Sequence, residues 1–256
     1  MAVNRLKGQN VQLELERIRL TERYKTGIAN VFDKPFKFHD GESFVDTFKE
    51  LFCDEIYQFA PSSGSRVILD CGANMGLSVL YFSQNYPDHQ IIAFEPEKMI
   101  FDILQENVHT FQLKNVTLHN KAVWTKKETL KFYSDGGMGG RVNEAYSNRE
   151  PVLIDALPLS DFISEQVDFL KLDIEGAEDE VLRHCGEQLH RVQHIFFEYH
   201  NKFQKKQSLH ELLDLVHRQG FKYYIKESGT RQKPFIDEGI ICESFDMALN
   251  VFCYRA

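Results

Sequence analysis

The chain has 256 residues, of which 43% are hydrophobic and 12% aromatic, so it is long enough for one sizeable core and is not of disordered composition. Its formal net charge of −8 disfavours a nucleic-acid partner, because proteins that follow a phosphate backbone usually carry a basic surface. The cysteines are odd in number and no two are spaced C-x-x-C, which disfavours a disulfide framework or a zinc ribbon. No signal-peptide core and no long apolar run is present, so we expect a cytoplasmic protein without membrane contact.

The first 64 residues are rich in charged and aromatic side chains and differ from the rest of the chain. Residues 42–52 carry apolar side chains at helical spacing, and residues 61–65 are typical of a turn. We therefore expect an N-terminal extension or cap over residues 1–64 and a main domain over residues 65–256. Three roles stay open for the extension: a cover for the acceptor site, a homodimer contact, or an extra layer packed on the sheet.

From residue 66 onward, short apolar runs alternate with helical patterns. This alternation predicts an α/β fold with right-handed crossovers and a mostly parallel sheet, closed by a C-terminal antiparallel hairpin. Helices are predicted over residues 77–86, 96–109 and 208–220, with another beginning near residue 176. The predicted strands are residues 66–70, 90–95, 116–119, 167–173, 194–198, 221–225 and 248–254, with a hairpin between residues 128–133 and 151–154.

The loop after the first predicted strand is DCGANMG, residues 70–76. A dinucleotide-binding loop reads G-x-G-x-x-G, and its second glycine lets the backbone approach a pyrophosphate. The glycines here are Gly72 and Gly76, with Asn74 where that second glycine would stand. This departure argues against a nicotinamide or flavin dinucleotide. The remaining tight turn admits the amino-acid tail of a small ligand, with Asp70 available for an ammonium group.

An acidic residue, Glu95, ends the second predicted strand. At this place in a nucleotide-binding sheet, a carboxylate accepts hydrogen bonds from ribose hydroxyls. The alternative is a solvated glutamate favoured by the dipole of the helix that follows. Together with the glycine loop, the pattern favours the ribose role. Most of the predicted strands of the parallel sheet end in an acidic residue, which suits a cationic or hydroxyl-rich ligand better than a polyanion.

Four segments in order resemble the FkbM family of methyltransferases over about residues 44–200: VILDCGANMGLSVLYF, IIAFEPE, HNKAVW and VDFLKLDIEGAEDEVL. The resemblance implies the seven-stranded, Rossmann-like class I methyltransferase fold and S-adenosylmethionine as cofactor. It also implies a hydroxyl-bearing acceptor, often a sugar or a natural-product scaffold. It places Asp70, Gly72, Asn74 and Gly76 at the methionine end of the cofactor, Glu95 at the ribose, and Asn120 and Ala122 beside the adenine.

A hydroxyl is a weak nucleophile, so methyl transfer to it calls for close alignment and a general base. Asp173 ends the fourth strand of the predicted parallel sheet, and Glu198 and His200 close the fifth. We hypothesise that Asp173 orients the acceptor or the cofactor and that Glu198 or His200 takes the proton. A divalent cation held by these three side chains is an alternative, although we expect no metal. The glycine-rich loop of residues 134–141 is either a mobile lid or a plain hairpin connection.

Two other functions stay open. A nicotinamide-dependent oxidoreductase would share the sheet and the acidic ribose residue, but the chain lacks a Tyr-x-x-x-Lys pair. A non-catalytic S-adenosylmethionine-binding protein would share the whole pocket. A nucleic-acid methyltransferase is disfavoured, because no Pro-Pro and no Pro-Cys pair occurs. We therefore expect an S-adenosylmethionine-dependent O-methyltransferase with a sugar, glycan or small natural-product acceptor.

Overall fold

A computed structural model of the protein describes residues 11–133, 150–203, 205–229, 233, 235–236 and 245–255, with the backbone alone of residues 141–142. The helices are α1 (Val11–Arg19), α2 (Gly41–Phe48), α3 (Leu77–Asn85), α4 (Lys98–Thr110), α5 (Glu178–His184) and α6 (Leu209–Arg218). The strands are β1 (Gly27–Ala29), β2 (Phe36–Phe38), β3 (Val67–Cys71), β4 (Gln90–Phe94), β5 (Val116–His119), β6 (Ala122–Trp124), β7 (Glu128–Tyr133), β8 (Arg141–Val142), β9 (Val152–Pro158), β10 (Val167–Leu172), β11 (Val192–Lys202), β12 (Lys222–Glu227) and β13 (Phe245–Tyr254).

The central sheet has seven strands in the order β12-β13-β11-β10-β3-β4-β5. Strands β11, β10, β3, β4 and β5 are parallel neighbours, and β13 lies antiparallel between β11 and β12. The register aligns Asp70 of β3 with Lys171 of β10 on one side and with Ala93 of β4 on the other. The carboxyl ends of these strands therefore meet at one edge. The predicted mostly parallel sheet with a closing antiparallel pair is confirmed.

Two hydrophobic clusters cover the two faces of this sheet. Strand β10 is buried along its whole length, as expected of a central parallel strand covered on both sides. Helices α2 and α3 pack on the face that carries Ile68 and Phe169, and helices α5 and α6 pack on the face that carries Leu170 and Phe197. Each fully buried side chain of this size contributes about 1.5–3 kcal/mol to stability.

The N-terminal segment packs on the first of these faces as a further layer, which we call the N-terminal layer. Asp40 caps α2 by accepting a hydrogen bond from the backbone N–H of Ser43, at 3.0 Å. Phe44 and Phe48 are fully buried, and Phe52 meets the ring of Tyr81 on α3 edge-on. The helical face predicted within residues 42–52 is therefore confirmed. The division of the chain at residue 64 stays a prediction.

Helix α2 ends at Phe48, and the chain continues directly into a π-helical turn over Lys49–Cys53. The backbone N–H of Asp54 donates to the carbonyl oxygen of Lys49, five residues earlier, at 2.9 Å. Turns of this kind inside α-helices are frequent at functional sites. The turn brings the N-terminal layer to the carboxyl edge of the sheet.

A second, four-stranded sheet has the order β6-β9-β7-β8 and lies between β5 and β10 in the chain. Strands β7 and β9 pair antiparallel, from Glu128 opposite Ala156 to Phe132 opposite Val152, which confirms the predicted hairpin. The glycine-rich loop of residues 134–141, considered as a mobile lid or a plain hairpin connection, lies outside the described residues, apart from the backbone of residue 141.

Several element boundaries differ from the predictions, including those of α4, α5 and β11. Helix α5 begins at Glu178 rather than near residue 176, because Gly176 has a positive φ of 91° that a helix cannot contain. Strand β11 extends to Lys202, because its pairing with β13 continues beyond Glu198. Helix α4 begins at Lys98, two residues after Pro96. None of the described helices combines the length and the apolarity that a membrane crossing requires.

Candidate active site

A cavity of about 150 Å³ that opens to solvent lies beyond the carboxyl ends of β3, β4, β10 and β11. This is where ligands bind in open α/β sheets. Among the predicted site residues, the cavity wall contains Gly72, Asn74, Glu95, Ala122, Asp173 and Glu198. The structure therefore brings together both the predicted cofactor end and part of the predicted catalytic end.

The turn after β3 is tightly constrained. Gly72 has a φ of 85°, and a Cβ atom at this position would overlap the carbonyl oxygen of Asp173. Only glycine is compatible with both the conformation and the space. Asn74 also has a positive φ, 48°, and its Oδ1 accepts a hydrogen bond from the backbone N–H of Met75 at 2.6 Å. The same oxygen lies 2.8 Å from Nε2 of His39, a buried residue of the N-terminal layer.

Asp70 lies behind this turn and does not line the cavity. Its carboxylate is fully buried, accepts a hydrogen bond from the hydroxyl of Ser78 at 2.6 Å, and lies 3.5 Å from Nζ of Lys171. Burial raises the pKa of Asp70, and the neighbouring lysine opposes that effect. This placement contradicts the prediction that Asp70 is available for direct contact with an ammonium group. Its contacts instead fix the loop from beneath.

Gly76 also supports the loop without lining the cavity. It has a φ of 94° and precedes the first residue of α3, Leu77. A Cβ atom there would overlap the side chain of Leu104 on α4. The predicted contact of Gly76 with the cofactor is therefore replaced by a packing role.

Glu95 lines the cavity and is 6% exposed. Its Oε2 accepts a hydrogen bond from the backbone N–H of Asn74 at 3.0 Å, and its Oε1 accepts one from Glu97 at 2.8 Å. Burial raises the pKa of Glu95 to about 7, against the effect of these hydrogen bonds. Because each carboxylate oxygen has a second lone pair, the side chain can still accept hydrogen bonds from two further donors. This geometry fits the predicted ribose role.

Asn120 has a structural contact in place of the predicted one. Its Nδ2 donates to the carbonyl oxygens of Glu95 and Pro96, at 2.9 and 3.0 Å, and so fixes the loop after β4. It does not line the cavity, whereas Ala122 does. The described wall near Ala122 is largely apolar and includes Phe94, Ile100, Val123 and Phe132.

The opposite end of the cavity contains Asp173 and Glu198. Asp173 follows β10 directly, and its Oδ2 lies 3.3 Å from Nζ of Lys171. Glu198 lies on β11 and accepts a hydrogen bond from the hydroxyl of Ser228. Burial raises the pKa of Glu198, and the charge of His200 opposes that shift. Both carboxylates face the cavity, as predicted for groups that contact the acceptor.

His200 lies behind Glu198 and is not part of the cavity wall. Its Nε2 lies 3.7 Å from Oε1 of Glu198 and 3.9 Å from Oε2 of Glu175, and its Nδ1 lies 3.4 Å from Oε1 of Glu178. Burial disfavours the charged imidazolium, but the three carboxylates outweigh burial and raise the pKa of His200 well above its usual range. The hypothesis that His200 takes the proton directly is not supported by this placement.

The structure brings together three possible metal ligands, and this set differs in one residue from the set predicted from the sequence. Asp173, Glu175 and His200 each offer an atom within 4.8 Å of the others, so Glu175 takes the place considered for Glu198. Such oxygen-rich groups also occur without a metal, and no metal is assigned to this one.

Lys171 is a site residue that the sequence analysis did not identify. Its ammonium group is buried and donates a hydrogen bond to the carbonyl oxygen of Gly72 at 2.8 Å, between Asp70 and Asp173. Burial alone would lower its pKa, but the two carboxylates raise it, so the group stays charged. The signal was present in the sequence: Lys171 is the one basic residue in the largely apolar segment VDFLKL, and buried lysines are almost always paired.

The N-terminal layer also contributes to the wall, with Thr47, Glu50, Leu51 and Tyr57. Glu50 lies in the π-helical turn. Nothing local in the sequence marks these side chains as part of a site, because they come from an element distant in the chain. Their position agrees with one of the roles considered for the extension, a cover for the acceptor site.

The sheet order, with antiparallel β13 inserted beside the edge strand, is that of the class I methyltransferases. A family model described as the methyltransferase FkbM domain matches residues 70–223. The chain belongs to this family, which confirms the resemblance noted in the sequence.

The individual relatives share only modest sequence identity with this chain. The chain is 31% identical over 160 residues to Methyltransferase 1 of Beauveria bassiana, an alignment that covers 53% of this chain and 64% of that protein. It is 25% identical over 173 residues to the 2-O-methyltransferase NoeI of Sinorhizobium fredii, covering 59% and 70%. The chain thus spans less than two thirds of the Beauveria relative. Methyltransferase FkbM from Methylobacillus flagellatus has a solved structure with 14% identity and a TM-score of 0.47, covering 95% of this chain and 58% of that one.

Proposed function

We propose that the protein is an S-adenosylmethionine-dependent O-methyltransferase whose acceptor is a hydroxyl group of a sugar, a glycan or a small natural product. One observation carries the proposal: a single cavity joins the constrained turn and Glu95 at one end to the partly buried carboxylate of Glu198 at the other. The first end suits an adenosyl amino acid, and the second provides a base for a weakly acidic acceptor.

The residues present fit the cofactor. Gly72 and Asn74 would hold its methionine end, Glu95 its ribose hydroxyls, and the apolar wall at Ala122 its adenine ring. The turn is held by close backbone packing between Gly72 and Asp173, with Asn74 at the place where a diphosphate site needs glycine. When bound, S-adenosylmethionine supplies a methyl group activated by a positively charged sulfur.

Glu198 is the residue we assign as proton acceptor. It lines the cavity, and burial raises its pKa above its usual range, which makes the ionised carboxylate a better base than an exposed one. The proton of the acceptor hydroxyl passes to a carboxylate oxygen of Glu198. His200, 3.7 Å behind that carboxylate, acts as a positioning residue, and Asp173 orients the acceptor or the cofactor.

The name of one relative supports an oxygen atom as the methyl acceptor. The Sinorhizobium relative is named a 2-O-methyltransferase, and the family is one of methyltransferases. The acidic wall also disfavours phosphate-bearing acceptors, in line with the expectation that nucleic acid is not a substrate.

Two measurements test the proposal. Calorimetry should show S-adenosylhomocysteine binding to the purified protein, with no comparable binding of NADH. Mass spectrometry should then detect a mass increase of one methyl group on an acceptor from a panel of sugars and polyols incubated with S-adenosylmethionine. Tight NADH binding without S-adenosylhomocysteine binding would instead support an oxidoreductase. Cofactor binding with no methylation of any acceptor would support a non-catalytic binding protein.

A further inference from the structure

The two ends of the cavity are separated along the edge of the sheet. Glu95 follows β4 and Glu198 lies on β11, three strand spacings away in the order β4-β3-β10-β11. Neighbouring strands lie about 4.8 Å apart, so the two carboxylates are separated by about 14 Å along the edge. We call the far end the acceptor end and define it by Thr47, Glu50, Asp173, Glu175, Glu198 and Asn250.

The acceptor end carries an excess of negative charge. Four of its residues are carboxylates. Lys171 lies between Asp173 and the buried Asp70 behind it, and Lys202 lies beside Gly176, next to Glu175, so the excess rests on Glu50 and Glu198. His200, behind the wall, is itself faced by three carboxylates. The other lysine among the described wall residues, Lys121, is at the cofactor end and pairs with Asp155 at 3.0 Å.

Glu50 faces this charge from the N-terminal layer. Burial raises the pKa of Glu50 to about 7, and repulsion from Glu198 and Asp173 adds to the rise, with exposed Lys226 as a partial offset. Carboxylates that face one another across a cavity favour a cation between them.

Asn250 supplies an independent observation. It is 4% exposed and lines the cavity from β13, and its Oδ1 is buried without a hydrogen-bond partner among the described residues. Buried polar atoms are nearly always satisfied, so an orphaned acceptor at a cavity wall indicates a ligand that brings an N–H or O–H donor. An anionic ligand without a donor would not satisfy it.

We propose that the acceptor end selects a hydroxyl compound that carries a protonated amine close to the methylated hydroxyl, as an amino sugar or amino alcohol does. Glu50 is the specificity-determining residue, and Asn250 accepts a hydrogen bond from the ammonium or a neighbouring hydroxyl. The inference rests on the proposed function, because it takes the cofactor to occupy the Glu95 end. The amine is held across the cavity from the base Glu198 and does not itself react.

The test uses the full-length protein saturated with S-adenosylhomocysteine and three probes that share one ring: D-glucosamine, N-acetyl-D-glucosamine and D-glucuronate. Binding is followed by calorimetry and by saturation-transfer NMR. We expect D-glucosamine to bind more tightly than its neutral N-acetyl derivative, and D-glucuronate to bind most weakly. Added salt should weaken the binding of D-glucosamine and leave the neutral probe unchanged.

Two variants assign the preference to named residues. Glu50→Gln should weaken D-glucosamine binding about tenfold, the effect of losing one hydrogen bond to a charged group, and leave N-acetyl-D-glucosamine unchanged. Asn250→Leu should also weaken D-glucosamine binding. The control is Glu165→Gln, because Glu165 is an exposed acid before β10 at the opposite edge of the sheet.

Binding of S-adenosylhomocysteine without any preference for the amine probe, or with a preference that Glu50→Gln and Asn250→Leu both leave intact, would overturn the inference and leave the proposed function standing. Failure of S-adenosylhomocysteine itself to bind would overturn both. Circular dichroism of each variant separates weak binding from failure to fold.

Discussion

The ammonium group of Lys171 on β10 donates a hydrogen bond to the carbonyl oxygen of Gly72, 2.8 Å away on the turn that follows β3. The same turn is pressed against the carbonyl group of Asp173, which leaves no space for a side chain at residue 72. Strand β10 and the residue that follows it therefore hold this turn from two sides. The strand that leads into the predicted catalytic residue Asp173 also shapes the predicted cofactor site.

Replacing this lysine should destabilise the protein. In Lys171→Met the volume is kept but the buried carboxylate of Asp70 loses its cation, so the free energy of unfolding should fall by about 3–5 kcal/mol. Urea unfolding measures the change. The affinity for S-adenosylhomocysteine should also fall, because the carbonyl of Gly72 loses its donor.

The double variant Lys171→Met/Asp70→Asn should recover part of the stability, because the unpaired charge is then removed. Lys222→Met, at an exposed lysine of β12, is the matched control. A loss of less than about 1 kcal/mol in Lys171→Met would show that the buried charges are not coupled.

His39 should affect cofactor affinity although it lies in the N-terminal layer. Its Nε2 is 2.8 Å from Oδ1 of Asn74, which has a left-handed backbone conformation. In His39→Ala that support is lost, and the dissociation constant for S-adenosylhomocysteine should rise about five- to tenfold, as for one hydrogen bond. Calorimetry measures it.

His39→Gln should restore much of this affinity, because a glutamine amide can donate to the same oxygen. Exposed His210, changed to glutamine, should leave the affinity unchanged. Equal affinities for wild type and His39→Ala would mean that Asn74 keeps its conformation without the histidine.

The proposed base predicts distinct effects for two neighbouring residues. Glu198→Gln should lower turnover at least about a hundredfold while S-adenosylhomocysteine affinity is kept, because only proton transfer is lost. His200→Gln should lower turnover less and change its pH dependence. The positive charge of His200 lowers the pKa of Glu198, so its loss should move the acidic limb of the turnover profile to higher pH.

Turnover of an accepted substrate across pH 5–9 provides the readout, and intact cofactor binding is the control for folding. A purely structural role for His200 would change stability without displacing the acidic limb. If turnover were unaffected in Glu198→Gln, the base would have to be another group or water.

Glu50 should make stability depend on pH. Its pKa is raised from its usual value of 4.5 to about 7 in the folded protein, where burial and then the charges of Glu198, Asp173 and Asp46 oppose its ionisation and Lys226 favours it. Between these two values the unfolded chain has lost a proton that the folded protein keeps. The contribution of Glu50 to the free energy of unfolding therefore falls as pH rises from 4.5 to 7.

Glu50→Gln removes this contribution. Its free energy of unfolding, relative to wild type, should rise between pH 4.5 and 7 and change little above that range, as measured by urea unfolding at several pH values. Glu95, whose pKa is also about 7, contributes the same pH dependence to the wild type and to the variant, so its contribution cancels in the difference curve. A flat difference curve would mean that Glu50 ionises normally in the folded protein.

The sequence predicted the sheet and the tight turn at Gly72 because both depend on local patterns. Apolar runs mark the strands, and the spacing of Gly72 and Glu95 follows from the strand ends they occupy. The sequence placed Asp70 and Asn120 at the correct edge of the sheet. It did not predict the direction of their side chains, which do not line the cavity. Side-chain direction at a strand end depends on the turn that follows, and periodicity does not determine it.

The acceptor end was less predictable for a different reason. Glu50 reaches it from an element that is distant in the chain, through a π-helical turn that the helical spacing of its apolar residues does not reveal. The positive φ of Glu175, 57°, likewise belongs to a conformation that its residue type does not suggest. Long-range packing decides both positions.

The π-helical turn at Lys49–Cys53 holds one more residue than an α-helix of the same hydrogen-bonding pattern would. Deleting a residue there would let α2 run on as a regular α-helix and would remove the widened turn in which Glu50 lies. A one-residue deletion in the N-terminal layer can therefore change which side chains reach the acceptor end of the cavity without any substitution in β3 or β4. The residues that line the two ends of the cavity can thus change separately.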